Sequence, residues 1–265
     1  MSDYWGREHL AESILAALAA AGKDLGALTI DDLAASDQFH GGGKPATLRL
    51  ARHLGARPNL RVLDVGGGLG GPARTLAMEF GCHVTVVDLT ESYVRTARTL
   101  TARLGLDDRV SHRVGDALDL PADGGAFDVV WTQNSGMNIA DKDRLYRGFR
   151  RVLRPGGLLA LQEPMAGPVQ PCVFPLMWAR DPSTSFLLPP GEMRALIAQA
   201  GFRERAWEDV TAETTGPATA ATIPAHSVQR LVMGPALDAI IAAGHRNRTE
   251  GRLVSVQAVF ERGSP

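Results

Sequence analysis

Gly66, Gly67, Gly68, Gly70 and Gly71 crowd into six positions of the chain. Backbone stripped of side chains at that density carries a large entropic cost on folding, so it marks a place where side chains must be kept out. The preceding Arg61-Val-Leu-Asp-Val65 reads as a short buried strand, with Val62, Leu63 and Val65 turned to a core. Pro72-Ala-Arg-Thr-Leu-Ala-Met78 reads as the start of a helix, with proline in the first turn, where its missing N–H is no loss. Strand, glycine turn and helix N-terminus make a cradle in which backbone N–H groups can meet a ligand directly. Gly66, Gly68 and Gly71 satisfy Gly-x-Gly-x-x-Gly, and Asp88 ends the next predicted strand 22 residues after Gly66. A carboxylate there can accept from ribose hydroxyls. Together these residues point to an adenosine-containing ligand without choosing one.

The elements that must hold this turn follow from periodicity. Residues 7–22 place Leu10, Ile14, Leu15 and Leu18 on one helical face. A second, shorter helix is expected over Leu25 to Asp37, a loop over Asp37 to Pro45, and a helix over 45–55. Strand 61–65 leads to helix 72–80, strand 83–88, a helix from Glu91 to Leu104 with Thr90 as its N-cap, strand 110–114 and strand 127–131. A helix from Asp141 to Leu153, stopped by Pro155-Gly156-Gly157, precedes strand 158–162. Strands alternating with helices imply a parallel sheet covered on both faces. Pro164 to Pro190 is rich in proline and aromatics and too apolar for a free linker. Beyond it come a helix from Glu192 to Ala200, alternating strands at 203–210 and 253–260, and a helix around 226–243. At 45% apolar and 22% charged residues, with net charge −1, the composition is that of a globular protein. It suggests neither a nucleic-acid nor a membrane surface. Cys82 and Cys172 are isolated, and the N-terminal residues lack a signal-peptide pattern, so a cytoplasmic protein is expected.

The choice of ligand comes from the motifs around the turn. Asp64 gives Asp-x-Gly-x-Gly-x-Gly; Gly115-Asp116-Ala117 follows the third strand; Phe127-Asp-Val-Val-Trp131 is the fourth; Arg151-Val-Leu-Arg-Pro-Gly-Gly157 precedes the fifth. In these residues and their order, the chain over about 37–163 resembles the class I S-adenosylmethionine-dependent methyltransferases. Asp37 to Leu89, with His40-Gly41-Gly42, is similar to the small-molecule branch that includes sarcosine and dimethylglycine methyltransferases. The resemblance implies a Rossmann-like, doubly wound α/β sheet of seven strands, mostly parallel with an antiparallel C-terminal strand. Residues 1–56 would be an N-terminal helical cap, and residues 57–265 the core with a pocket-covering insertion around 164–190. S-adenosyl-L-methionine would be the cofactor, and a small molecule the methyl acceptor, through nitrogen or oxygen. Asp64, Gly66, Gly67 and Gly68 would line the cofactor's amino-acid end, Asp88 would hold its ribose, and Leu89 would pack on its adenine. Asp116 would accept from the adenine amino group with the Ala117 amide nearby, although Asp116 reads equally as a helix N-cap.

Ligands of parallel sheets bind beyond the strands' carboxyl ends, so Thr132 to Ile139 should face the transferred methyl. Gln133 is a candidate for the cofactor, and Asn134 and Asn138 for the acceptor. Many relatives carry a histidine where Met137-Asn138 falls; here His40 is the candidate base, with a loop-pinning role as its alternative. Trp178, with Phe174 and Met177, could form an aromatic wall for an apolar or cationic acceptor or be core under a long loop. No histidine or cysteine spacing suggests a metal. Two rival readings remain at this level. One is a nicotinamide-dependent oxidoreductase, although none of Tyr4, Tyr93 and Tyr146 has a lysine four residues on. The other is a cofactor-binding protein without methyl transfer.

Overall fold

The computed structural model describes residues 9–216 and 219–263. Its element order is α1 (Leu10–Ala20), α2 (Ile30–Asp37), α3 (Gly43–Leu54), β1 (Arg61–Val65), α4 (Gly71–Phe80), β2 (His83–Asp88), α5 (Glu91–Arg103), β3 (Val110–Val114), β4 (Phe127–Gln133), α6 (Lys142–Val152), β5 (Leu153–Ala166), α7 (Pro190–Gln199), β6 (Phe202–Asp209), α8 (Thr211–Thr214), α9 (Val228–Met233), α10 (Leu237–Thr249) and β7 (Leu253–Arg262). The strands form one sheet in the order β3-β2-β1-β4-β5-β7-β6, and β7 runs antiparallel to both its neighbours. The expected seven-stranded, Rossmann-like architecture with a reversed C-terminal strand is therefore present.

Two apolar clusters cover the sheet. On one face Leu63, Val130, Leu159 and Phe260 pack with Tyr146 and Phe149 of α6 and Ile197 of α7. On the other Val62, Val84, Trp131 and Val259 pack with Leu50 of α3 and Leu76 of α4. Strands covered on both sides must be apolar at nearly every position, which explains runs such as Val84 to Val87. A third cluster lies outside the sheet: Leu10, Ile14 and Leu18 of α1 meet Leu33, Tyr93, Leu100, Val228, Leu237 and Ile240. The helices before β1 and those after β6 thus share one core.

Several boundaries differ from those expected, each for a local reason. The second helix begins at Ile30 because Thr29 and Asp32 form a reciprocal capping box. Thr90 precedes α5, but its hydroxyl makes no capping bond; its amide instead donates to Asp88 Oδ1 at 2.8 Å. The helix expected around 226–243 is two helices, because Gly234-Pro235 interrupts the hydrogen-bond ladder. The fifth strand is far longer than 158–162. It starts at Leu153, absorbs Pro155-Gly156-Gly157 across a register shift, and continues through Ala166 against β7.

The glycine turn is anchored from beneath by a buried ion pair. Arg74 Nη2 donates to Asp37 Oδ2 at 2.8 Å and to Leu69 O at 2.6 Å, while Nη1 donates to Thr101 Oγ1 at 3.0 Å. Asp37 ends α2, so the pair ties the N-terminal helices to the start of α4. A Cβ at Gly71 would lie 2.5 Å from the Asp37 carbonyl oxygen. That close approach is why only glycine fits there.

Candidate active site

A cavity of about 930 Å³ opens at the carboxyl ends of the parallel strands. Of the site residues expected from the sequence, His40, Asp64, Gly66, Gly67, Gly68, Asp88, Leu89, Asp116, Ala117, Gln133, Asn134, Asn138 and Trp178 line it, as does Met177 of the expected aromatic wall, whereas Phe174 does not and packs instead in an apolar cluster with Leu176 and Leu253.

The glycines of the floor are glycines for different reasons. A Cβ on Gly66 would stand 2.3 Å from Ser135 Cβ, and one on Gly67 2.5 Å from Asp64 Oδ2. Both positions are closed by the protein's own packing. Gly68, with φ +53°, would meet nothing nearer than a Tyr93 ring carbon at 3.9 Å. Its bare face is open, as close approach of a ligand requires.

Two carboxylates stand beside this floor. Asp88 accepts from the Gly68 amide at 2.9 Å through Oδ2 and from the Thr90 amide through Oδ1. Burial raises its pKa and these two amides oppose the rise. Asp64 is 1% exposed, and its Oδ2 is buried without a hydrogen-bond partner. Burial, and then the charge of Asp88, push its pKa up to about 8. Burying an unpaired carboxylate is costly, so the group stays protonated until a cation or donor meets it. Leu89, by contrast, is 54% exposed, a large apolar side chain turned away from the core. Asp116 accepts from the Leu118 amide at 2.8 Å, and no helix begins there, so its competing reading as a helix N-cap does not hold.

The other wall is a buried polar network. His40 Nε2 lies 2.9 Å from Gln38 Oε1 and 3.1 Å from Thr47 Oγ1, and Nδ1 lies 3.2 Å from Gly41 O. Burial pulls the His40 pKa down to about 4, so the ring is neutral at physiological pH. The ring is flanked by Gln38 Oε1 and Gly41 O of its own loop, one of which takes its single N–H, which is the loop-pinning arrangement. Gln133 Oε1 accepts from Thr47 Oγ1 and Trp131 Nε1, and its Nε2 donates to Gln162 Oε1. Gln162 Nε2 donates to Gly41 O, and Gln257 Nε2 to Ala46 O and Gln162 Oε1. The network rivets the 38–47 loop onto β4, β5 and β7. Its members were readable only in part: Gln162 and Gln257 stand out as polar residues inside apolar strands, but Thr47 and Gln38 carry no such signal.

The loop after β4 is held from below. Glu163 Oε1 accepts from the Gly136 amide at 2.8 Å, and Lys142 Nζ donates to Gly136 O and Ile139 O. Asn134 adopts φ +53°, a conformation asparagine tolerates better than most residues. Asn138 Nδ2 donates to Trp178 O and Thr184 O, so both its amide hydrogens bind the covering segment. Trp178 is 4% exposed, with its indole N–H on Ser185 Oγ at 3.0 Å. Asn138 and Trp178 therefore fasten the cavity's roof as well as edge it. Among the described residues no group of three His, Cys, Asp or Glu side chains is arranged to hold a metal ion.

Comparison with known proteins agrees with this geometry. A family model described as a methyltransferase domain matches residues 62–157. The sarcosine/dimethylglycine N-methyltransferase of Halorhodospira halochloris is 35% identical over 170 residues, covering 61% of this chain and 57% of that protein. The glycine/sarcosine/dimethylglycine N-methyltransferase of Actinopolyspora halophila is 40% identical over 118 residues, covering 44% of this chain and 21% of that protein. The chain thus spans less than two thirds of either relative. Among solved structures, geranyl diphosphate C-methyltransferase from Streptomyces coelicolor A3(2), in complex with Mg2+, geranyl diphosphate and S-adenosyl-L-homocysteine, superposes with a TM-score of 0.67 at 23% identity. That match covers 82% of this chain and 78% of that one.

Proposed function

From a chain whose residues 62–157 form a class I S-adenosylmethionine-dependent methyltransferase domain, similar to that of sarcosine and dimethylglycine methyltransferases, we propose that the protein transfers a methyl group from S-adenosyl-L-methionine to a small-molecule acceptor at nitrogen or oxygen. The observation that carries this reading is the single cavity that unites the open glycine floor with two strand-end carboxylates, one of them lacking a partner. Asp64 and the turn from Gly66 to Gly68 would hold the cofactor's amino-acid end, Asp88 its ribose, Leu89 one face of its adenine, and Asp116 with Ala117 the adenine edge. An exposed leucine suits a flat ring, and an orphaned buried carboxylate suits a cationic group. Of the expected 1–56 cap, residues 1–8 lie outside the described residues; the helices from Leu10 onward serve as the cap of a core at 57–265, and the 164–190 segment covers the acceptor. We place the protein in the cytoplasm; no helix among the described residues is long and apolar enough to cross a membrane.

When bound, the cofactor supplies a sulfonium methyl already activated for in-line displacement. The chain's own part is then to position the acceptor and exclude water, and orientation alone can contribute on the order of 7–11 kcal/mol. Asn134 and Gln133 border the place where the acceptor would lie, and the Asn138–Trp178 roof closes it. His40, neutral and engaged by its own loop, acts by holding the loop. Calorimetric titration tests the reading directly: S-adenosylhomocysteine should bind and NADH should not, and a screen of methyl acceptors should give turnover. Binding of NADH alone would replace this reading with the oxidoreductase one.

Two further outcomes follow from the ionisation states. Asp64 is protonated in the free protein below about pH 8. A cationic ligand favours the carboxylate and so lowers its pKa in the complex. Binding between the two pKa values must then expel a proton, and affinity rises with pH by up to about tenfold per unit until the free-state value is passed. Titrations of S-adenosylmethionine from about pH 6 upward should show that slope, reduced in Asp64→Asn; an unaltered slope in the variant would remove Asp64 from the cofactor site. For His40→Ala, cofactor affinity and turnover should fall by similar factors, with the shape of the pH–rate profile preserved. A selective loss of kcat with an altered profile would instead make His40 a base.

A further inference from the structure

The cavity's charged residues are unevenly placed. Asp64, Asp88 and Asp116 stand at the ends of β1, β2 and β3, on one half of the sheet; of the other lining acids, Asp37 is paired with Arg74 and Asp141 caps α6. The one lysine or arginine among the described lining residues is Arg248, in the last turn of α10. That helix leads into β7, on the sheet's other half. Arg248 Nη1 reaches back to Gly244 O at 3.2 Å, and its Nε is buried with no hydrogen-bond partner. Among the described residues no carboxylate lies within ion-pair distance of it. A half-buried guanidinium with an inaccessible Nε is ordinarily paired, because stripping its water without a partner is costly, and it remains a cation at any physiological pH.

The helix turn that carries it is also held in place. Asn247, its neighbour, is fully buried and clasps the covering segment, accepting from Val173 N at 2.8 Å and donating to Val173 O at 2.7 Å. The last turn of α10 is thereby fixed to the roof. The cavity's apolar lining includes Leu176, Met177, Phe186 and, on α10 itself, Ile240 and Ile241, beside the polar Gln229 and His245. An anchored, unpaired cation at the end of an apolar chamber is a receptor for an amphipathic anion.

We infer that the methyl acceptor is a predominantly apolar molecule carrying a carboxylate, which Arg248 binds while the apolar body fills the chamber beneath the roof. This rests on the methyltransferase reading and adds the acceptor's chemical class. A carboxylate suits the site because the two N–H groups of one guanidinium match its two oxygens. A diphosphate would carry more charge than one arginine balances, and no second lysine or arginine lines the cavity among the described residues.

Decanoate and 1-decanol are suitable probes, titrated into the whole chain with and without saturating S-adenosylhomocysteine. The native protein should bind decanoate at least about tenfold more tightly than decanol, in line with a hydrogen-bonded charged group. Arg248→Met should abolish that preference and Arg248→Lys should keep part of it, both with unchanged S-adenosylhomocysteine affinity and native-like cooperative melting. Equal affinity for the two probes in the native protein, or a preference that persists in Arg248→Met, overturns the inference. S-adenosylhomocysteine binding without a carboxylate preference defeats this inference alone. Failure of S-adenosylhomocysteine to bind defeats the methyltransferase reading as well.

Discussion

Asp37→Ala is expected to lower the unfolding free energy by about 3–5 kcal/mol, the cost of leaving a buried charge unpaired. Arg74 is 0% exposed and Asp37 4%. Without the carboxylate at 2.8 Å, the guanidinium keeps only neutral acceptors: Leu69 O, Ala97 O and Thr101 Oγ1. These cannot replace the lost opposite charge in a site that water does not reach. The same substitution loosens the glycine turn, because the Asp37 backbone and side chain close over Gly71. Urea denaturation should show a lower midpoint with an unchanged slope. Asp37→Ala combined with Arg74→Met should recover part of the loss, since it removes the stranded cation too. A change below about 1 kcal/mol would show that the pair contributes little beyond packing.

Asp88→Ala is expected to weaken S-adenosylhomocysteine binding at least tenfold. Hydrogen bonds to a charged group are worth roughly 1.5–3 kcal/mol, or about ten- to a hundredfold in affinity. The carboxylate does two things at once. It fixes the Gly68 and Thr90 amides, and each oxygen keeps a lone pair to offer to a ribose hydroxyl. Asp88→Asn preserves the shape but not the charge and should fall between the native protein and the alanine variant. Calorimetric titration measures all three. An affinity unchanged in Asp88→Ala would sink the assignment of this acid to the cofactor.

Much of this architecture was legible because its signals are local. The strands at 61–65, 83–88 and 110–114 occur as expected, since each is a short valine-bearing stretch set between turn-forming residues. Boundaries failed where one contact decides them. The Thr29–Asp32 box shortened α2, and Pro235 split the helix expected around 226–243. The fifth strand outgrew its apolar run because pairing with β7, some ninety residues away, extends it to Ala166, while Phe127 of β4 pairs with its first residue, Leu153. Its length depends on a partner that no local pattern reveals.

For the site, the glycine turn with Asp64, Asp88 and Asp116 was readable because each sits at a strand's end, and a parallel sheet gathers strand ends on one edge. The contacts of His40, Asn138 and Trp178 were not. Whether a histidine ring is free or engaged depends on Gln38 and Thr47 arriving beside it. Whether an asparagine amide faces a ligand depends on carbonyls forty residues away. Arg248 carried no signal at all, being one of two arginines in a C-terminal helix; only the fold brought it to the cavity wall and withheld a carboxylate from it. The sequence by itself determined the layered sheet, the glycine cradle and the acids beside it, because strand and turn propensities are short-range. The tertiary structure alone decided which polar groups are satisfied, because burial and partnership belong to chain segments that meet only on folding.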